Sequence, residues 1–196
     1  MALIVTVSGS PSVPSRTFLL AKYVNERLRG DGFAVELIDV RALPAADLLA
    51  GRADAPGIRE AVALLDRAQG VVVATPVYKA AYSGVLKTFL DLLPQFGLQG
   101  KSVLPIATGG SLAHVLSIDY ALRPVLASLG AGHVTNGYFF LDKQLERLDG
   151  DRLGIEAQAA QRFDPIYRDF ITSVQLYDRA RRDRLESSGD NLDGRD

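Results

Sequence analysis

Three stretches of this chain bring together residue types whose spacing suits ligand chemistry. The first is Ser8-Gly-Ser-Pro-Ser-Val-Pro-Ser-Arg-Thr17. It offers hydroxyls at Ser8, Ser10, Ser12, Ser15 and Thr17, a guanidinium at Arg16, and free N–H groups where a helix begins. Arginine and a helix N-terminus both favour an anion, so the stretch suits a phosphate monoester. It is neither a G-x-G-x-x-G fingerprint nor a Walker loop, because it holds one glycine. The plain alternative is a Ser/Pro-rich loop with an N-capping serine. The second stretch is Thr75-Pro-Val-Tyr-Lys79, followed by Ala80-Ala-Tyr-Ser-Gly84. A proline and an aromatic between a strand and a helix make a stiff loop with a flat apolar surface, on which a planar heterocycle can lie. Ordinary packing or a subunit contact would explain Tyr78 and Tyr82 equally well, and Lys79 and Lys87 read as solvated. The third is Ala107-Thr-Gly-Gly-Ser111, followed by His114. Paired glycines let backbone approach a ligand closely, or simply make a tight turn.

These stretches need a scaffold that gathers them. Apolar, β-branched runs predict strands at Leu3–Val7, Val35–Asp39, Val71–Ala74, Val103–Thr108 and Tyr138–Leu141. Helical periodicity predicts Thr17–Gly30, a helix from Asp54-Ala-Pro56 to about Ala68 capped by Asp54, Ser83–Leu93, and Ser111–Leu129 with Pro124 inside. A last helix starts near Glu156 or Asp164 and runs to about Leu185. Alternating strands and helices imply an α/β three-layer sandwich with right-handed crossovers. Five strands and a first crossover of this length favour the flavodoxin-like parallel order 2-1-3-4-5, which binds ligands beyond the carboxyl ends of strands 1 and 3. The chemistry-bearing stretches follow strands 1, 3 and 4. Residues 1–186 read as one domain, and 187–196, with almost nothing to bury, as a disordered tail.

Composition narrows the classes. The 196 residues are 47% hydrophobic and 23% charged, with a formal net charge of -1. No basic field collects nucleic acid or an anionic membrane surface, so an anionic ligand needs a local site. Zero cysteines exclude disulfides, cysteine-ligated zinc and a cysteine nucleophile. The two histidines, His114 and His133, have no metal-ligand spacing, and no G-x-S-x-G elbow is present. No window approaches the roughly 18 apolar residues of a membrane span, and Ala2–Val7 lacks the basic flank of a signal peptide. A cytoplasmic protein is the expectation.

Taken together the loops resemble those of the NAD(P)H-dependent FMN reductase family. The resemblance is carried by Ser8-Gly-Ser-Pro with Ser15-Arg-Thr17, by Thr75 to Gly84 with Leu86-Lys87 and Leu90-Asp-Leu-Leu-Pro94, and by Leu104-Pro-Ile-Ala-Thr-Gly-Gly110. His114 and Asp119-Tyr-Ala-Leu-Arg-Pro124 extend it, and it spans roughly residues 3–130. Within the family the likeness is to the reductase of the two-component alkanesulfonate monooxygenase system. The resemblance implies FMN phosphate at Ser8, Ser10, Ser15, Arg16 and Thr17. It implies an isoalloxazine ring between Pro76, Val77, Tyr78 and Lys79 on one side and Thr108, Gly109, Gly110 and Ser111 on the other. NADPH would stack on the exposed flavin face, and reduced FMN would leave for a partner flavin-dependent monooxygenase. Members form dimers and tetramers, with Asp119-Tyr120 at a subunit interface. In the alkanesulfonate group Tyr120 behaves as an insertion that makes a π-bulge, a candidate for control of flavin release and assembly; an interfacial tyrosine in a proline-kinked helix is the alternative.

The loops hold no evident acid, base or nucleophile, and hydride transfer between two cofactors needs none. Two rival readings share the fold: a flavodoxin-type electron carrier, which would be strongly acidic, and a quinone or azo-dye reductase that retains its flavin. A phospho-receiver domain lacks its acidic cluster here. No basic pair is placed for a 2′-phosphate, so spacing leaves NADPH against NADH open.

Overall fold

The computed structural model describes residues 1–189. Strands β1 (Leu3–Ser8), β2 (Ala34–Asp39), β3 (Gly70–Tyr78) and β5 (Ser102–Gly109) lie parallel in the order β2-β1-β3-β5. The fifth place is shared by β6 (His133–Val134) and β7 (Tyr138–Leu141), both parallel to β5. The doubly wound order expected from the sequence is therefore present. A small β4 (Ala81–Tyr82) folds back antiparallel on the end of β3.

Central strands are apolar on both faces because helices cover both. On one face α3 (Pro56–Arg67), α4 (Gly84–Leu90) and α5 (Arg123–Ser128) bury an aliphatic layer that includes Val5, Val73, Ile58, Leu65, Leu86 and Leu126. On the other, α1 (Arg16–Gly30) and α6 (Ala157–Gly189) enclose an aromatic layer of Phe140, Phe163, Tyr167 and Phe170. Gly70 admits α6 there: a Cβ on it would lie 2.5 Å from Val174 Cγ2. Tyr167 donates to Asp31 at 2.5 Å, and the Arg27 guanidinium sits 3.8 Å from its ring centre. Burial, then that carboxylate, push the Tyr167 phenol far above its usual range.

Several boundaries differ from expectation. Thr75–Tyr78 extends β3 instead of forming a loop, because β4 pairs with Val77 and Tyr78. Lys79 and Ala80 make the two-residue turn with φ of 50° and 64°, the mirror-image geometry that hairpins favour. Helix α3 starts at Pro56 as expected, but its cap is Ala55 with no side-chain bond, so Asp54 does not cap it. Helix α4 is shorter than Ser83–Leu93, with Ser83 as its cap. The single helix expected over Ser111–Leu129 is three pieces: a 3₁₀ turn (Leu112–His114), a π-helix (Ile118–Leu122) and α5. Pro124 sits where the π-helix passes into α5, and it offers no N–H to the carbonyls of the turn before it. Helix α2 (Ala45–Leu49) and the hairpin of β8 (Leu145–Arg147) and β9 (Leu153–Ile155) are additional. Residues 187–189 continue α6 rather than beginning a tail, and the rest of that expected tail lies outside the described residues.

Candidate functional site

A cleft of about 390 Å³ opens where β1, β3 and β5 end, within the size range of cofactor sites. Its lining contains Ser10, Ser15, Arg16, Thr17, Pro76, Val77, Tyr78, Thr108, Gly109 and Gly110. Ten expected residues thus converge from three elements far apart in sequence.

The first wall is the segment between β1 and α1. Ser15 caps α1, its Oγ accepting the Phe18 N–H at 3.0 Å. The Ser10 hydroxyl accepts the Ser12 N–H at 3.4 Å. Thr17 and Thr108 hydroxyls meet at 2.7 Å, a buried bond that fixes α1 against β5. Arg16 is exposed, its Nε donating to the Leu145 carbonyl at 3.3 Å. Arg41 donates to the Ser12 carbonyl and to Asp39, the latter at 2.9 Å. The Ser12 hydroxyl reaches the Tyr78 hydroxyl at 3.1 Å, joining the first wall to the second.

Beneath this segment Gly9 passes against α4. A Cβ there would lie 2.5 Å from Leu86 Cβ, so glycine is required by close approach rather than by backbone angle. Ser83 donates from Oγ to the Gly9 carbonyl and accepts the Leu86 N–H at 3.0 Å. Thr75 accepts the Ser83 N–H at 3.0 Å and donates to the Pro76 carbonyl at 3.0 Å. The paired glycines divide their work. Gly109 makes room for Phe139, whose ring would come within 2.8 Å of a Cβ, whereas Gly110 is open, with only Asp142 Oδ2 within 4 Å.

Three expected residues are elsewhere. Ser8 is fully buried below the cleft, its hydroxyl without a partner among the described residues. Lys79 sits in the hairpin turn, whose left-handed geometry turns the chain away from the lining. Ser111 is exposed and caps the 3₁₀ turn, accepting the Ala113 N–H at 3.2 Å. Tyr120 lies in the π-helix and is 79% exposed. His114 is exposed and outside the lining.

Four lining residues lie outside the expected set: Ser12, Pro14, Asp142 and Arg147. Asp142 follows directly on β7, so the rule that ligands meet the carboxyl ends of strands points to it. Arg147 comes from the β8–β9 hairpin, whose three-residue strands give no periodicity to read.

The donor set fits a phosphorylated planar ligand. Hydroxyls, a guanidinium and the start of a 15-residue helix share the lining with Pro76, Val77 and Tyr78, and the orphaned hydroxyl of Ser8 is buried at the end of β1. Lys87, Tyr138, Asp164, Tyr167 and Arg168, whose proton affinities the fold shifts, lie outside the lining. Among the described residues no group of three or more His, Asp or Glu side chains is arranged to hold a metal ion, and no helix is long and apolar enough to cross a membrane.

Comparison with known proteins agrees with this geometry. Residues 2–146 match the family model of NADPH-dependent FMN reductase. An FMN reductase (NADPH) of Escherichia coli K12 is 49% identical over 142 residues, covering 72% of this chain and 74% of its own. One from Pseudomonas putida KT2440 is 42% identical over 174 residues, covering 89% and 87%. The crystal structure of an apo NADH:FMN oxidoreductase superposes with a TM-score of 0.81 at 41% identity, covering 88% of this chain and 90% of that one. The chain belongs to the NADPH-dependent FMN reductase family, as an oxidoreductase that uses NADPH and FMN.

Proposed function

We propose that this cleft holds FMN with its phosphate against residues 10–17, and that reduced FMN then leaves for a partner monooxygenase acting on alkanesulfonates. The observation that carries the reading is that one cleft gathers the hydroxyls and arginine of residues 10–17 with Pro76, Val77 and Tyr78. When bound, FMN supplies a ring that accepts hydride from NADPH. The protein's share is to orient and to exclude water. Ser10, Ser15, Arg16 and Thr17 hold the phosphate, and the N-terminal N–H groups of α1 add their partial positive charge. Pro76, Val77 and Tyr78 support one side of the ring, and the Thr108–Gly110 backbone supports the other. No side chain moves a proton in this scheme, because hydride passes directly between the two cofactors.

Assembly is part of the proposal. Leu112, Val115, Leu116 and Tyr120 are all exposed apolar residues on one irregular segment beside the cleft. Such a cluster favours burial against a second copy, in a dimer or tetramer. The π-turn at Tyr120 supports a role for this residue at that interface and in flavin release.

The deciding experiment mixes purified protein, NADPH and free FMN, and follows NADPH consumption and flavin reduction together. Turnover that rises with added FMN, and that drives desulfonation when an alkanesulfonate monooxygenase is supplied, supports the reading. Flavin that stays bound through purification while a quinone or azo dye is reduced would replace it with a retained-flavin reductase.

A further inference from the structure

Arg147 sits where two cavities meet. It lines the main cleft together with Ser10, Ser12, Ser15, Arg16 and Thr17. It also lines a side cavity of about 150 Å³ with Phe18, Arg41 and Asp151. Its placement follows from the hairpin. Leu145 is buried in the aromatic core, and strand side chains alternate, so Arg147 shares the inward face of β8 with Leu145 while Glu146 points away. The hairpin is tied to the first wall by the Arg16–Leu145 bond, which brings both guanidiniums to one end of the cleft.

Arg147 is weakly held. Its ion pair is with Asp151, at 3.8 Å, beyond hydrogen-bond range, with the two side chains 43% and 66% exposed. An exposed pair of that kind contributes little. A phosphate monoester, doubly charged and rich in acceptors, competes well against one distant carboxylate. Arg41 is different, because Asp39 and the Ser12 carbonyl already occupy its guanidinium.

We propose that Arg147 is a second phosphate-binding guanidinium, parked on Asp151 in the side cavity and drawn into the main cleft by the terminal phosphate of FMN. It makes the site select phosphorylated flavin over riboflavin. The inference rests on the reading of residues 10–17 as the phosphate cradle. It requires only rotation of an exposed side chain, since the guanidinium already borders both spaces.

The test measures FMN and riboflavin dissociation constants without NADPH, by flavin fluorescence, for the wild type, Arg147→Gln, Arg147→Lys, Asp151→Asn and Arg16→Ala. Arg147→Gln is expected to cut the preference for FMN over riboflavin roughly tenfold, as for loss of one partly exposed charge-assisted contact. Arg147→Lys should keep most of it. Asp151→Asn removes the competing charge, and asparagine tolerates the φ of 58° found at that position, so the preference should rise. An unchanged preference in Arg147→Gln, with a lowered one in Arg16→Ala, overturns the inference and leaves the cradle standing. Steady-state turnover of Arg147→Gln with NADPH and with NADH is the second readout: a changed NADPH-to-NADH ratio with an unchanged flavin preference also overturns the inference, by assigning Arg147 to the dinucleotide. A wild type with no preference for FMN defeats the cradle itself.

Discussion

The segments that enter the cleft after β1 and after β5 are built on opposite plans. Residues 8–17 are fastened from every side: Ser83 holds the Gly9 carbonyl, Arg41 holds Ser12, Thr108 holds Thr17, and Ser15 starts α1. Residues 111–122 pass through a 3₁₀ turn and a π-helix and leave Leu112, Val115, Leu116 and Tyr120 in solvent. Nothing in their lengths requires this contrast. The first segment is anchored at Gly9, Ser12, Ser15 and Thr17, with Val13 left in solvent, and can present fixed donors to a ligand. The second leaves apolar surface in solvent, which is why the proposed assembly is placed there. Fixed geometry suits binding, and an unfinished surface suits assembly and release.

The largest break in this contrast comes from loosening the fastened side. Ser83→Ala leaves the buried Gly9 carbonyl without its donor and uncaps α4. A lost cap and an unsatisfied buried acceptor together cost about 2–4 kcal/mol, read as a lower midpoint in denaturant unfolding. Unfolding at the wild-type midpoint would mean that the Gly9 N–H bond to the Ala74 carbonyl and packing on Leu86 hold Gly9 without Ser83. Next in size is Arg16→Ala, which removes an exposed side chain together with its bond to the Leu145 carbonyl. Losing one charge-assisted contact should weaken FMN binding by roughly 1.5–3 kcal/mol, or ten- to a hundredfold. Wild-type affinity in that variant would move the phosphate away from α1.

The same contrast explains what could be read in advance. The β-branched runs made the five parallel positions plain, since strands buried on both faces have little choice of residue. The first segment drew notice because serines, an arginine and prolines stand directly before a helix, although the N-cap that Ser15 makes would account for part of that pattern alone. Thr75–Tyr78 was not legible as strand, because Lys79-Ala80 holds a left-handed turn with neither glycine nor asparagine to announce it. Asp54 looked like a cap, yet Pro56 and Ala55 begin α3 without a side-chain bond. Arg147 was hidden by strands too short to show a period, and its partner Asp151 is contributed by a turn. Conformation fixed by tertiary pairing leaves little local trace.

On the unfinished side, deleting Tyr120 sharpens the comparison. The π-helix spans Ile118–Leu122, and the Arg123 N–H returns to the Ile118 carbonyl five residues back. Removing one residue restores four-residue spacing and withdraws the most exposed ring of the cluster. The deletion variant should assemble differently in sedimentation, retain more flavin through purification, and reduce added FMN several-fold more slowly, with release limiting turnover. Wild-type assembly and turnover would leave Tyr120 as surface decoration and remove the support for an alkanesulfonate-type reductase.

The smallest expected effect belongs to His114, which sits on the unfinished side yet is the nearest histidine to the cleft in sequence. It ends the 3₁₀ turn Leu112–His114, its side chain is exposed, and it is absent from the lining. A general acid or base must come within hydrogen-bond reach of the proton it moves, and its loss costs roughly 10²–10⁴-fold. Hydride transfer between two cofactors asks for orientation instead, and the fastened segment supplies that from the other side. His114→Ala should therefore slow the hydride step by less than about tenfold, far below the loss of a proton-transfer group. Single-turnover measurement with FMN already bound separates this step from flavin entry and release. A hundredfold slower step there, with FMN affinity intact, would give the second segment a chemical role and erase the division between a binding side and an assembly side.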